Sequence, residues 1–343
     1  MSATGEAPPP GWAVIDSALE RLYGTAKPRH YGTLIRYRQG GPDPLDGISA
    51  YFNPAPVPHW HLVSYGLTEL VEKESPNPKV SGFGFELTLR VGNARADQEP
   101  PLWALGLLQS LARYVYTTGR YFEEGHFFEL GEPPAPEWEG FSTVAFRKEP
   151  QLPTSRGPFG AFEFLQVVLL HREEASALKA WNSLGLLEVM ARQDPLLIAS
   201  PARTRVLAVP ELAKEISERA AKEGSSTPRL RLSHAGWQRS PWGPEVELTL
   251  GADAVAELGA VLPGRLGFDR PLEVLTAEGE APVVTFLPGQ ANGVQAAGGL
   301  LRVTLTPQAA RSLGAELTLG KGPWRLPELP ELVIQTQPRK VTR

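Results

Sequence analysis

The longest strictly alternating stretch in the sequence is GFGFELTLRV, at residues 82–91. Phe83, Phe85, Leu87, Leu89 and Val91 occupy every second position, and the positions between them carry two glycines, a glutamate, a threonine and an arginine. A period of two places alternate side chains on opposite faces of a β-strand. The pattern therefore predicts a strand with one buried apolar face and one polar face, and a fold built around a sheet.

Strand-like and helix-like segments alternate along the first 200 residues. Strands are indicated by period-two or continuous apolar runs, and helices by apolar positions three and four residues apart. The continuous apolar run at 161–170 is typical of a central strand, because such strands are covered on both faces. The predicted strands are at 46–52, 59–66, 141–146 and 161–170, and the predicted helices are at 12–23, 102–118 and 173–192.

The composition changes at about residues 200–228, where a short strand at 204–210 is predicted before a charged helix bracketed by Pro210 and Gly224. Beyond this point short strands and two helical segments recur, which indicates an α+β domain with a largely antiparallel sheet. The predicted fold class is α+β or mixed α/β, with two lobes that each carry a mixed or largely antiparallel sheet and packed helices. The predicted divisions are a lead-in with a short helix at 1–26, an N-lobe at 27–205, a linker helix and loop at 206–228, and a smaller C-lobe at 229–343.

Composition excludes several classes of site. The chain has 343 residues and a net charge of -4. It contains no cysteine, so thiolate metal sites and a cysteine nucleophile are excluded. Only a short basic tail is present, at Arg339, Lys340 and Arg343, and nucleic-acid binding is disfavoured. No apolar run reaches the length of a membrane span and no signal peptide is visible, so we expect a cytoplasmic protein.

His59 and His61 lie two residues apart in HWHLVSYG and share one face of a strand. A metal-dependent enzyme would require a further ligand, for which Glu86 or His126 is the candidate. The alternative is that the imidazoles bind neighbouring backbone or carboxylate groups and orient a loop. We expect no metal and no cofactor.

Glu86 lies within the alternating strand and could act as a general base. An ion pair with Arg90 or with a neighbouring strand is the favoured interpretation, because no second carboxylate stands at a recognisable spacing. The glycine pairs in SGFGF and RGPFGAF match no phosphate-binding pattern. None of the standard catalytic constellations can be assembled from the sequence.

Five segments in this order resemble the Suppressor of fused (SUFU) family: PHWHLVSYGLTELVEK, SGFGFELTLRV, LLQSLARYVY, GPFGAFEFLQVVLL and ALKAWNSLGLLEVMAR. They cover roughly residues 30–200. A weaker likeness at 262–289 and 298–314 is to the C-terminal domain of full-length animal members. The compact chain is similar to bacterial members of the family.

The resemblance implies a non-enzymatic, intracellular two-lobe protein that captures a partner peptide or domain in an inter-lobe cleft. Animal members hold a segment of a transcription factor there as an added strand, a form of β-augmentation. Some bacterial members are thought to be immunity proteins that neutralise a toxin. The resemblance therefore implies a protein or peptide partner, with no nucleic acid and no membrane.

Site residues carried over from the resemblance fall into two groups. Tyr114 matches a tyrosine of the ligand-facing helix, whereas His126 and Lys148 stand where animal members place acids. The implied partner-binding set is Tyr114, Tyr121, Phe122, His126, Lys148 and Glu149. The implied scaffold set is His59, Trp60, His61, Gly82, Phe83, Gly84, Phe85, Glu86, Pro158, Phe159, Gly160, Trp181 and Asn182, with Glu86 as a nearby partner of the two histidines.

Overall fold

The computed structural model describes residues 8–35, 37–92, 95, 98–241, 243–277, 279–319 and 322–337. The basic tail and the first seven residues of the predicted lead-in lie outside the described residues. The chain divides into two compact units, one formed by Met1–Arg172 with Leu187–Val206 and the other by Glu173–Leu186 with Leu207–Arg343. The domain limits that we predicted from the sequence remain a prediction.

The first unit contains one sheet in the order β1-β2-β3-β4-β8-β6-β5, with β7 paired to β8. The central strands β4 and β8 run parallel, and every other neighbouring pair is antiparallel. Its elements are α1 Pro10–Tyr23, β1 Arg29–Gly32, β2 Gly47–Asn53, β3 His59–Tyr65, β4 Val80–Gly92, α2 Leu102–Thr118, β5 Phe127–Glu129, β6 Phe141–Lys148, β7 Ser155–Gly157 and β8 Gly160–His171.

Both faces of this sheet are covered. Leu62 and Leu87 belong to an apolar core that includes Leu108 of α2. Val63, the next residue of β3, belongs to a second core with Ile15 of α1. Because successive residues of a strand point to opposite faces, α2 and α1 lie on opposite sides of the sheet.

The polar face predicted for the alternating strand is therefore wrong in one respect. Glu86, Thr88 and Arg90 are polar as expected, but each is 0% exposed. The turn after β3 covers Glu86, Glu149 contacts Thr88 and Arg90, and α1 packs into the apolar core on the same side of the sheet. Alternation of apolar and polar residues indicates which side chains share a face. It does not determine whether the polar face meets solvent.

Most of the predicted elements are confirmed, with two corrections. The predicted helix at 173–192 is two helices, α3 Arg172–Ala180 and α4 Ser183–Gln193, with Asn182 accepting a hydrogen bond from the Gly185 amide at the start of the second. The predicted strand at 204–210 is a 3₁₀ turn at Val206–Ala208. The three short strands β1, β5 and β7 were not predicted, because runs of three or four residues show no recognisable period.

The second unit is a mixed α/β structure with two sheets, in the orders β10-β11-β17-β16 and β14-β15-β13-β12-β9. Parallel pairs occur beside antiparallel ones, so both sheets are mixed. The predicted mixed α/β fold class is confirmed. The single, largely antiparallel sheet predicted for this part of the chain is wrong, because the unit has two sheets and three of their strand pairs are parallel. In addition to α3, and to the first turn of α4, the unit contains α5 Pro210–Glu223, β9 Arg229–Leu232, β10 Ala235–Arg239, β11 Val246–Gly251, α6 Ala252–Leu266, β12 Leu272–Thr276, β13 Val284–Pro288, β14 Gly293–Ala297, β15 Leu300–Leu305, α7 Pro307–Thr318, β16 Trp324–Leu326 and β17 Leu329–Gln337.

Within the described ranges, no helix combines the length and apolar character that crossing a bilayer requires.

Gly82 and Gly119 provide a matched pair for testing how tightly the first unit is packed. Both have positive φ, 53° and 68°, so alanine carries a similar backbone cost at each. A Cβ at Gly82 would lie 2.4 Å from the carbonyl oxygen of Leu67, whereas nothing lies within 4 Å of one at Gly119. We expect Gly119→Ala to lower the free energy of unfolding by about 1 kcal/mol and Gly82→Ala by about 3 kcal/mol or more. Urea denaturation of the two variants checks this, and equal losses would contradict it.

Candidate partner-binding edge and its buried polar support

The strand β5 ends the sheet of the first unit, and among the described strands it pairs only with β6. The Leu130 amide donates to the carbonyl oxygen of Ser142, and the Phe146 amide donates to the carbonyl oxygen of His126. The backbone groups of the even-numbered residues therefore face β6. Alternation along an antiparallel pair then directs the backbone N–H and C=O groups of Phe127 and Glu129 towards the open side. An edge of this kind can accept a further strand.

Aromatic rings support β5 from within the unit. Tyr114 of α2 stacks on Phe122 with ring centroids 5.5 Å apart and meets the edge of Phe128 at 4.9 Å. Phe122 in turn stacks on Phe146 at 4.2 Å. The cluster fixes the short strand against the core, since three residues of pairing alone would hold it weakly.

The predicted partner-binding residues are therefore of three kinds. Tyr121 and His126 are exposed and precede β5 in the sequence. Tyr114 and Phe122 belong to the aromatic support, and Phe122 is only 5% exposed. Lys148 is exposed and pairs with Glu163 at 3.0 Å.

Glu149, the last member of the predicted set, has a side chain that is fully enclosed. Its oxygens accept hydrogen bonds from Arg90 Nη2 at 2.7 Å and from Thr88 Oγ1 at 2.8 Å. Lys148 and Glu149 are adjacent in sequence but point in opposite directions, so only the lysine can meet a partner directly.

His59 and His61 line the same buried face as Arg90. Arg90 Nη1 lies 3.0 Å from His59 Nε2, and the other ring nitrogen of His59 lies 2.8 Å from the carbonyl oxygen of Val57. Because arginine only donates, His59 Nε2 accepts and Nδ1–H donates. His59 is thus held as the neutral Nδ1–H tautomer.

His61 is held by α1. Tyr23 Oη lies 2.7 Å from His61 Nδ1. The tyrosine hydroxyl donates in this contact, because the other ring nitrogen faces the Glu149 carboxylate, which favours an N–H over a lone pair there. Burial raises the pKa of Tyr23 to about 12. His61 Nε2 then carries the ring proton, 3.6 Å from a Glu149 oxygen. Burial lowers the pKa of His61 to about 4, and the nearby Arg90 acts in the same direction. We call these five residues, Tyr23, His59, His61, Arg90 and Glu149, the buried polar cluster.

Arg90 also determines the charge of Glu149. Burial alone would raise the pKa of this carboxyl group, but the neighbouring His61 and Arg90 hold it well below its usual range. The stable arrangement is a neutral His61 beside an ionised Glu149, because Arg90 already compensates the carboxylate.

The ligand set of the metal hypothesis is not assembled. Among the described residues, no three His, Asp or Glu side chains lie close enough together to hold a metal ion. A guanidinium already occupies the space beside His59, and its positive charge opposes a cation there. Glu86 and His126, the proposed further ligands, bind other groups.

The predicted ion pair between Glu86 and Arg90 is also wrong, as is the expectation that Glu86 partners the histidines. Glu86 Oε1 accepts hydrogen bonds from the amides of Gly66 and Thr68, both at 2.9 Å, and from the Thr68 hydroxyl at 2.7 Å. Its other oxygen lies 2.5 Å from the Ser64 hydroxyl. Burial raises the pKa of Glu86 to about 7, although these donors oppose the shift. Glu86 fixes the turn that follows β3.

The remaining scaffold residues pack as structural elements. Trp60, Phe83 and Phe85 contribute to the core beneath α2. Pro158 and Phe159 form the two-residue turn between β7 and β8. The backbones at Gly84 and Gly160 have positive φ.

In the second unit, Trp181 is fully buried and donates from Nε1 to Glu223 at 2.8 Å. The guanidinium of Arg219 lies over its indole ring. The break between α3 and α4 therefore marks a packing anchor.

Sequence reasoning did not identify Tyr23 or the backbone of Phe127 as parts of the site. No local pattern connects Tyr23 with His61, which is 38 positions away. The run HFFEL after Gly125 was the available signal for β5, but it is too short to distinguish a strand from a loop.

Residues 41–204 match the family described as Suppressor of fused protein (SUFU). This part of the chain is a SUFU domain. The Suppressor of fused homologues of Mus musculus and Homo sapiens are 35% and 34% identical over 191 residues. Each match spans 52% of this chain and 40% of the curated relative, so the chain spans well under half the length of either.

Two solved structures extend the comparison. Drosophila Suppressor of Fused matches 97% of this chain and 98% of its own with a TM-score of 0.71 and 20% identity, a likeness of fold alone. The chain solved in a Sufu–Fu complex covers 62% of this chain and 98% of its own, with a TM-score of 0.56 and 29% identity. The predicted SUFU resemblance is confirmed over the first half by sequence and along the chain at the level of fold.

Glu86→Gln and Glu86→Leu test the role of the turn anchor. Glutamine can keep its oxygen on the three clustered donors and donate to the Ser64 hydroxyl, whereas leucine leaves those buried donors without an acceptor. We expect Glu86→Gln to cost about 1 kcal/mol of unfolding free energy and Glu86→Leu about 3 kcal/mol or more. Denaturant unfolding at pH 7 measures both. A leucine variant as stable as the glutamine variant would show that the carboxylate does not hold the turn.

The low pKa of His61 predicts how stability depends on pH. Between its ordinary value of 6.5 and its folded value of about 4, the unfolded chain binds a proton that the folded chain does not. The free energy of unfolding therefore falls as pH decreases through this range, by up to about 3 kcal/mol from this residue. His61→Gln should flatten this slope.

Unfolding curves from pH 7 to pH 4.5 check this prediction, and a C2-proton NMR titration of the unmodified protein provides a second readout. An imidazole at position 61 that titrates above pH 6 would contradict it.

Proposed function

We propose that this chain is a non-enzymatic protein-binding module that takes up an extended segment of a partner along β5. The observation that carries the proposal is the open edge of β5, where the backbone groups of Phe127 and Glu129 point away from the sheet. Main-chain hydrogen bonds to such an edge supply affinity, and the side chains around it supply selectivity. A SUFU-family structure solved as a Sufu–Fu complex supports a role in protein binding.

The surroundings of β5 suit this role. Tyr114, Phe122 and Phe128 hold the strand in place before any partner arrives, which reduces the entropy lost on binding. Tyr121, His126 and Lys148 are exposed and can contact side chains of the added strand. Glu149 contributes indirectly, because it fixes the end of β6 through Arg90.

The buried polar cluster favours a binding protein over the alternative metal-dependent enzyme. Its imidazoles face a tyrosine hydroxyl, a carbonyl oxygen and a guanidinium, and a catalytic metal would need an open coordination position. The cluster is enclosed by α1, so it stabilises the sheet from which β5 extends.

The finer points of the sequence-based prediction remain predictions. They are a bacterial source, a cytoplasmic location, the placement of the bound segment between two lobes, and a role as an immunity protein or a regulator. An immunity role is tested by co-expression with the product of a neighbouring gene, whose toxicity the chain should suppress.

Phe127→Pro and Phe127→Ala test strand addition with a matched pair. Both remove the same ring, but only proline removes the outward N–H, and proline is tolerated where an edge-strand N–H faces outward. We expect affinity capture from lysate of the source cells to recover a partner with the unmodified protein and with Phe127→Ala. Capture with Phe127→Pro should fall about tenfold or more.

Hydrogen exchange on the captured complex provides the decisive measurement. The amides of Phe127 and Glu129 should become protected when the partner binds. A partner that binds all three proteins equally and leaves these amides unprotected would refute strand addition at β5.

A further inference from the structure

An unusual charge distribution surrounds β5. The segment 119–140 contains six glutamates and one arginine. All six glutamates are exposed: Glu123, Glu124, Glu129, Glu132, Glu137 and Glu139. We call these six residues the acidic collar, because they precede the strand, end it and follow it in the loop that leads to β6.

The acidic collar accounts for the negative charge of the whole chain. The complete sequence has 34 basic and 38 acidic residues. Removing segment 119–140 leaves 33 basic and 32 acidic residues, which is close to balance. The charge excess is therefore concentrated where the backbone of the sheet is open.

Basic side chains lie beside some of these glutamates, and Glu129 is not without a partner. His126 lies 3.7 Å from Glu123, and the ammonium group of Lys148 pairs with Glu163, outside the collar. Among the described residues, no ion pair is found for Glu132, Glu137 or Glu139. The loop after β5 thus presents three carboxylates to solvent.

We propose that the segment taken up by β5 is cationic, an extended stretch of a protein with lysine or arginine at alternating positions. The inference rests on the proposed strand addition and adds the chemistry of the partner. Alternate side chains of an added strand point to one face, so a period-two cationic segment can place several positive charges beside the acidic collar. Charges of opposite sign also speed the encounter of two proteins and select against wrong partners.

A second copy of this chain is the less suitable occupant. Pairing β5 with its own counterpart would bring two acidic collars together, and like charges across neighbouring strands are unfavourable. The collar therefore opposes self-association and favours a partner of opposite charge.

Three blocked heptapeptides test the proposal, each with valine alternating with lysine, glutamine or glutamate. Binding is measured by fluorescence anisotropy at ~50 mM salt, where surface charges are weakly screened, and at ~300 mM salt, where they are strongly screened. We expect the lysine peptide to bind about tenfold more tightly than the glutamine peptide at low salt, and the glutamate peptide to bind least. Most of the difference should disappear at high salt.

A triple variant, Glu132→Lys with Glu137→Lys and Glu139→Lys, should reverse the order of the lysine and glutamate peptides. The matched control changes the same net charge on the second unit, through Glu211→Lys, Glu328→Lys and Glu331→Lys. This control should keep the original order. If it reverses the order as well, net charge alone sets the preference and the inference is overturned.

The outcomes separate this inference from the proposed function. One outcome is that the lysine and glutamine peptides bind equally well, and that both lose binding in Phe127→Pro but keep it in Phe127→Ala. This result would overturn the cationic partner and would still support strand addition. Lysine-peptide binding that survives Phe127→Pro would show ionic adsorption without strand addition and would overturn both. If no peptide binds and the triple variant dimerises in sedimentation, the collar serves only to prevent self-pairing, and the cationic partner is again overturned.

Discussion

The buried ion pair between Arg90 and Glu149 is the interaction on which the first unit depends most. It joins the C-terminal part of β4 to the residue that follows β6, across β8, which lies between them in the sheet. Both side chains are fully enclosed, and a buried charge that loses its partner is strongly destabilising. The pair can exist only because its environment provides further polar groups. Thr88 completes the shell of the carboxylate, while Gln151 and His59 accept from the guanidinium.

Two buried glutamates of this sheet are stabilised in different ways. Glu149 faces a cation and keeps its negative charge, so its pKa is low. Glu86 faces only amide and hydroxyl donors, and its pKa is raised to about 7 because hydrogen bonds offset enclosure less completely than a full opposite charge does. The first glutamate ties distant strands together, whereas the second shapes a local turn.

The glutamates near β5 differ from these two because they are exposed to solvent. Their charges therefore carry little desolvation cost. These glutamates precede and follow in sequence a short strand that aromatic rings support. The enclosed interior fixes the position of the edge, and the exposed collar sets its electrostatic character. The buried polar groups and the exposed glutamates therefore belong to different parts of the same unit, one enclosed and one at the surface.

The sequence by itself determined the class of the fold, the order of the longer elements and the family. Long periodic segments such as β4 and α2 are governed by local spacing, which is visible in the chain. It also determined that His59 and His61 share a face. Tertiary structure decided which groups that face contacts. Tyr23 of α1 contacts His61, and Arg90 pairs with Glu149 and not with the predicted Glu86. The polar face is buried as a result.

Tertiary structure likewise decided that β5 is an edge. Three residues carry no period of their own, and their state as a strand depends on pairing with β6 and on rings contributed by α2. Contacts between residues far apart in the chain depend on how the sheet is covered and closed, and no local pattern encodes them.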